Sequence, residues 1–199
     1  MLEEYEHRRQ DEVVLKLASF PKSNIEETLL SRGLDPNSIG DAKAILALAG
    51  APFTPDGAVS YSFTQHDSPP TFGKGRFGDG SYPVYYSALE METCEEEVRH
   101  RLRESKAAVP FDRYFQFIAC DFSGAILNLC GSEAAHPELV SITEDGYPFC
   151  QALAQDARNS VIDAFHSPSA RRTGGICTPV FSRPALANPR FVAAPRVTI

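Results

Sequence analysis

Several local patterns in this 199-residue chain have the residue types of a reacting or binding site. Gly73-Lys74-Gly75-Arg76-Phe77-Gly78 satisfies G-x-G-x-x-G, the spacing that lets backbone approach a pyrophosphate at a helix N-terminus in a dinucleotide fold. Its surroundings argue against that use. No strand runs directly into the pattern, and Asp79-Gly80-Ser81-Tyr82-Pro83 follows where a helix should begin. The histidines at 7, 66, 100, 136 and 166 are scattered, and none pairs with another His or a Cys at ligand spacing, so no metal site is indicated. The five cysteines, at 94, 120, 130, 150 and 177, form no C-x-x-C and no dense framework. Cys94, Cys120 and Cys150 stand at apolar or helical positions, where the expected role is that of a small buried hydrophobe. No cysteine has the local signature of a Cys–His nucleophile.

Glu95, Glu96 and Glu97 place three carboxylates side by side on a helix expected from Thr93 to about Glu104. Cys94, Val98 and Leu102 make an i, i+4, i+8 apolar stripe; at ~100° per residue Glu95 and Glu97 flank it and Glu96 points away. Glu96 also lies three residues after Thr93, the spacing of a capping box, which gives it a structural role. Helical geometry alone therefore leaves both Glu95 and Glu97 as candidates.

Other elements must position these groups. Residues 1–50 are expected to form an N-terminal helical extension: Ser23 and Glu26 have capping-box spacing, Gly33 closes that helix, and Asp41 opens an apolar helix ending at Gly50. The Pro/Gly stretch from Ala51 to Gly57 marks the boundary with residues 51–199, the second part of one compact unit. A strand is expected over Val59–Phe63, then an irregular loop from Asp67 to Gly80 carrying Arg76, a short strand from Pro83 to Ser87, and the helix with the three glutamates. Alternation predicts a strand over Tyr114–Phe122, continued by or paired with Ala125–Leu129. A helix follows at Phe149–Ser160, then strands at Val161–His166 and Ile176–Ser182 around a Pro/Ser/Arg/Gly turn, and an edge strand at Arg190–Val197. This mixed order predicts an α+β fold and not a doubly wound sheet.

Composition limits the function classes. With 43% hydrophobic and 23% charged residues the chain can build a core. A formal charge of −7 gives no basic field for a polyanion, so nucleic acid is a poor candidate substrate. The start, MLEEYEHRRQDEVV, lacks the apolar run of a secretory signal, and no stretch approaches the ~18 apolar residues of a membrane span. A cytoplasmic location is expected, with export lacking a cleaved signal as the alternative.

One longer constellation survives. Residues 75–102 read GRFGDGSYPVYYSALEMETCEEEVRHRL, and Ser167-Pro168-Ser169-Ala170-Arg171 precedes Gly174-Gly175 and a strand ending at Phe181. The first block resembles the centre of the RES family, with its G-R-[FW] turn, V-x-Y strand and E-V helix. The second is similar to that family's P-S-x-R…G-G…F segment. The two blocks, in this order, span roughly residues 59–185. The sequence departs from the family in having no arginine in the Val59–Phe63 segment and in carrying Gly78 where Asn or Ser commonly follows.

The resemblance implies a mostly antiparallel β core related to ADP-ribosyltransferases, with flanking helices. It also implies a toxin that consumes NAD+ by hydrolysis or phosphorolysis at the nicotinamide ribose, and a helical Xre-type antitoxin or immunity protein as partner. The family's Arg, Glu and Ser map to Arg76, Glu97 and Ser169, with Tyr86 as the accompanying aromatic; Glu97, eleven residues after Tyr86, fits the family spacing best among the three glutamates. NAD+ would be a substrate and not a retained cofactor, held by Gly75, Arg76, Phe77, Tyr86, Ser169 and Arg171. The residue types suit that chemistry. A carboxylate stabilises an oxocarbenium-like state, and a guanidinium on a glycine-rich loop holds pyrophosphate or ribose through a fork of donors. Tyr86 would stack on nicotinamide or donate its hydroxyl, and Ser169 would bind the ribose or amide. Two other readings are an ADP-ribosyltransferase acting on a macromolecule and a catalytically silent interaction module; a homo-oligomer is left open.

Overall fold

The computed structural model describes residues 2–21, 30, 33, 35–38, 41, 54–65, 71–104 and 113–193. The first long element is a strand, β1 (Glu6–Pro21). This corrects the expected helical reading of the N-terminal residues. The whole of β1 pairs antiparallel with β3 (Arg113–Asn128), from Glu6↔Asn128 to Pro21↔Arg113. That long partner decides the conformation. Val13 and Val14 suit a pleated surface, and Val14, Leu17 and Ala18 bury against the core while Glu6, Arg8 and Val13 stay exposed. Of the helices expected from Ser23 and Asp41, only Leu30, Gly33 and Asp41 are among the described residues. Gly33 sits at φ +84° with its N–H on Leu30 O, as a helix-closing glycine does.

The expected strand at Val59–Phe63 is also corrected: α1 (Pro55–Ser62) is a helix. Thr54 caps it through Oγ1, which accepts from Gly57 N at 3.0 Å, and Pro55 takes the first position, where its missing N–H costs nothing. Ala58 and Val59 bury its inner face.

The remaining elements are β2 (Tyr85–Ala88), α2 (Met91–Glu104), the β3 strand already described, α3 (Tyr147–Asn159), β4 (Ala164–Pro168), β5 (Ile176–Val180) and β6 (Leu186–Ala193). The sheet order is β1-β2-β5-β4-β3-β6, and the β1–β3 pairing closes the first five strands into a ring. All pairings are antiparallel except β3–β4. The expected α+β class with a mostly antiparallel core is thus what the chain adopts. The two segments expected between Tyr114 and Leu129 are one strand, β3. β6 pairs with β3 as an edge strand and begins earlier than expected; residues 194–199 lie outside the described set.

Three apolar clusters hold this frame. Val14, Val59, Tyr85, Ile118, Phe122 and Val180 fill the ring beneath α1. Leu127, Leu153 and Phe165 join α3 to β3 and β4. Leu17, Phe117, Cys94 and Val98 seat α2 on β1 and β3. Leu153 and Phe165 have no exposed surface, so each contributes roughly 1.5–3 kcal/mol by burial. Cys94, Cys120 and Cys150 are buried in these clusters as expected, and all five cysteines are free thiols. Among the described residues no helix is long and apolar enough to cross a membrane.

Candidate active site

The glycine-rich loop forms a tight reversal. Gly75 N donates to Gly78 O (2.8 Å) and Gly78 N to Gly75 O (3.3 Å), which puts Arg76 and Phe77 at the tip. No helix follows it, only bends leading into β2. Phe77 is buried and packs edge-on against Phe165 at 5.4 Å, anchoring the tip in the core. Arg76, half-buried, lines a cleft. Its guanidinium donates to Glu138 O (3.0 Å) and Ser141 O (2.6 Å) and lies over the Tyr147 ring at 5.5 Å. These partners are neutral, so they fix the group without cancelling its charge.

Tyr86 links that tip to the sheet. Its hydroxyl accepts from Phe77 N at 3.2 Å. A Cβ on Gly75 would stand 2.6 Å from that hydroxyl, so the position admits only glycine without displacement of Tyr86. Burial pushes the Tyr86 phenol well above its usual range, against the opposing hydrogen bond from Phe77, so the proton stays on and is available to donate. Gln151 Nε2, from α3, donates to Gly75 O at 3.0 Å and braces the same loop.

The three glutamates separate clearly. Arg99 takes Glu95 at 3.1 Å and Glu96 at 2.7 Å on the outer side of α2. Glu97 lines the cleft and accepts from Ser169 Oγ at 2.7 Å. The expected Thr93–Glu96 capping box does not form. α2 begins at Met91, and Thr93 is buried, donating to Glu90 Oε2 at 2.6 Å and accepting from Arg172 at 3.2 Å. Gly175 packs against Thr93 so closely that a Cβ would stand 2.5 Å from its Oγ1, which ties the Gly174-Gly175 turn to α2.

Ser169 is only 8% exposed. Its hydroxyl gives its proton to Glu97 and accepts from Arg171 N and Arg172 N, both at 3.1 Å. One donor and two acceptor sites are all a hydroxyl has, so Ser169 is fully committed to protein partners and orients Glu97. Arg171 lines the cleft and donates to Ile142 O at 3.2 Å.

All the expected site residues thus converge on one region, and Gly75, Arg76, Phe77, Tyr86, Glu97 and Arg171 line a single cleft of about 1020 Å³. That is at the large end for small-ligand sites. Its walls carry Lys16, Lys74, Arg76, Arg101 and Arg171, five cations, against two carboxylates, Glu97 and Glu144. A chain of net charge −7 therefore has a cationic cleft. Among the described residues no group of His, Cys, Asp and Glu could hold a metal ion.

Sequence reasoning missed Lys16 and Cys177. Lys16 comes from β1, a segment read as helix. Its ammonium reaches Ser62 Oγ (3.3 Å) and Tyr86 O (3.4 Å) and sits 4.5 Å from the Tyr85 ring centre. Burial, and then the nearby Arg101 charge, lower its pKa to about 8. A lone lysine among Val13, Val14, Leu15, Leu17 and Ala18 was the signal that a strand reading would have exposed. Cys177, at the start of β5, places its thiol 3.5 Å from Glu97 Oε1.

No curated protein matches the chain. Among solved structures, the toxin–antitoxin complex MbcT–MbcA of M. tuberculosis contains a similar chain: TM-score 0.50, 15% identity, covering 94% of this chain and 86% of that one. At that identity the likeness concerns the fold. The RES domain model matches residues 48–199, the segment that carries Arg76, Tyr86, Glu97 and Ser169; the protein belongs to the RES domain family.

Proposed function

We propose that this protein degrades NAD+ by breaking the bond between nicotinamide and ribose. The observation that carries the reading is the convergence, in one cation-rich cleft, of the oriented Glu97 carboxylate with the Arg76 guanidinium and the protonated Tyr86 phenol. When the C1′–N bond breaks, its electron pair returns to the pyridinium ring and nicotinamide leaves neutral. Positive charge then builds on the ribose C1′ and ring oxygen, and a fixed carboxylate stabilises it most where water is excluded. Glu97 is the carboxylate for that task, and it orients the ribose hydroxyl or the incoming nucleophile. The pyrophosphate, carrying two negative charges, is held by Arg76 with support from Arg171. Their uncancelled charge would make each phosphate contact stronger than a neutral hydrogen bond. Tyr86 provides a ring to stack on nicotinamide and a hydroxyl to donate.

In this reading Ser169 binds Glu97 and not the substrate. NAD+ is consumed and no cofactor is retained. The likeness to a toxin–antitoxin complex and the membership of the RES family support a toxin role, with a helical Xre-type antitoxin as the partner that covers the cleft. Incubating the purified protein with NAD+, with and without inorganic phosphate, tests the reading through released nicotinamide. Hydrolysis gives ADP-ribose, phosphorolysis its 1″-phosphate, and labelled NAD+ marking a macromolecule would indicate transfer. No release above an Arg76→Ala, Glu97→Ala control would overturn the proposal.

A further inference from the structure

Cys177 is the one cysteine, among the described residues, whose thiol lies against a cleft carboxylate. It is the second residue of β5, opposite Ala88 of β2 and Ser167 of β4, and it borders the cleft. Its Sγ lies 3.5 Å from Glu97 Oε1, the same oxygen that accepts from Ser169. Burial first, and the Glu97 charge second, push the thiol well above its usual range against an opposing hydrogen bond from Ser169, so the proton stays on sulfur, and the Sγ–Oε1 geometry makes Glu97 its acceptor. Among the described residues Glu97 Oε2 has no hydrogen-bond partner. The carboxylate is thus anchored, among the described residues, by one oxygen alone.

We infer that Cys177 is a positioning residue for Glu97: with Ser169 it holds Oε1, leaving Oε2 as the oxygen available to the ligand. The inference rests on the NAD-degrading reading for its effect on rate, though not for the contact itself. Two donors of different reach approach Oε1 from different elements, Ser169 from the turn after β4 and Cys177 from β5. A single hydrogen bond leaves the carboxylate free to swing about it. A second removes most of that freedom, so the ordering of Glu97 is settled before substrate arrives. A thiol is a weak donor, which suits a group that must restrain the carboxylate without neutralising its charge.

Two arms test this. In the first, Cys177→Val keeps the volume and removes the donor, Cys177→Ala removes both, and Cys177→Ser restores a donor. The expected result is a fall in kcat of roughly three- to tenfold for Val and Ala, since a weak hydrogen bond to a charged group is lost. KM should stay within about twofold of wild type, and Ser should recover most of the rate. A Val variant with wild-type kcat, or a loss confined to KM, would overturn the proposal.

The second arm needs no activity. The rate at which iodoacetamide labels Cys177 is followed against pH by peptide-resolved mass spectrometry in wild type and in Glu97→Gln. Removing the carboxylate charge should make the thiol ionise more easily and raise its labelling at pH 8 by roughly threefold or more. Identical profiles would overturn the contact. If wild type releases no nicotinamide but the profiles differ, the NAD reading fails while the Cys177–Glu97 coupling stands.

Discussion

Replacing Ser169 by alanine removes a hydroxyl with three simultaneous tasks. It donates to Glu97 at 2.7 Å and accepts from the N–H groups of Arg171 and Arg172, each at 3.1 Å. A hydrogen bond to a charged group is worth about 1.5–3 kcal/mol, and each buried N–H left without an acceptor costs about 1–3 kcal/mol. The terms do not add fully, because Arg171 and Arg172 are only partly buried and water reaches their backbone; about 2–4 kcal/mol of stability should be lost. In a chain of this length that lowers Tm by roughly 5–15 °C, measured by calorimetry. The effect on turnover follows from the Glu97 bond alone: about 1.5–3 kcal/mol of lost orientation corresponds to a kcat lower by roughly ten- to 150-fold, with KM within about threefold. Initial rates of nicotinamide release over a range of NAD+ concentrations separate the two constants. An intact kcat with a raised KM would refute the reasoning, because Ser169 would then be touching substrate and not holding Glu97.

Other consequences follow from single positions. Arg76→Lys keeps the charge but loses the fork that bonds Glu138 O and Ser141 O. KM for NAD+ should rise by roughly tenfold or more in steady-state assays, about 1.4 kcal/mol or more, because an ammonium without those two anchors no longer holds its charge in place for the pyrophosphate. Lys16 ionises near pH 8 when folded against an ordinary 10.5, so between those values the unfolded chain holds the extra proton and stability should rise with pH. Buried thiols such as Cys94 and Cys150, whose folded pKa values are raised, pull stability the other way in both chains, so the Lys16 contribution is read as a difference: chemical denaturation from pH 7.5 to 10.5 should show the stability of wild type rising relative to that of Lys16→Met. Val161 is a β-branched residue at φ +58°, 80% exposed, just past the end of α3. Val161→Gly should therefore raise Tm by roughly 2–4 °C, as relief of left-handed strain of about 1 kcal/mol would do.

Much of the site was legible before the fold. Arg76, Tyr86, Glu97 and Ser169 stand in two sequence blocks whose order carries the RES pattern; the first three line one cleft and Ser169 stands behind Glu97. The resemblance favours Glu97 over Glu95 by its spacing from Tyr86, while helical geometry alone does not separate the two. Both flank the apolar stripe of α2, and the structure separates them by their partners, Arg99 for Glu95 and Ser169 for Glu97. Local signals misled where a tertiary partner overrode them. The charged residues of β1 read as a helix because nothing nearby in sequence announces its pairing with β3, which runs from Glu6↔Asn128 to Pro21↔Arg113. Thr54-Pro55 is a helix start that was taken for a turn, since Val59, Tyr61 and Phe63 also alternate as a strand would. Thr93 has the spacing of a cap, yet its hydroxyl serves Glu90 and Arg172. Lys16 and Cys177 were invisible for the same reason: each acts through a contact that exists only once β1 and β5 border the cleft.

The account turns on Glu97 as the group that lowers the barrier and not one that merely fills the cleft. Glu97→Gln keeps its shape and its place beside Ser169 while removing the charge. The direct measurement is nicotinamide released from NAD+ by this variant, with NAD+ affinity followed in parallel by calorimetry. The account predicts NAD+ bound within a few-fold of wild type and release slowed by roughly a hundredfold or more, as loss of a charge that acts mainly in the transition state requires. Release at the wild-type rate from Glu97→Gln would contradict it.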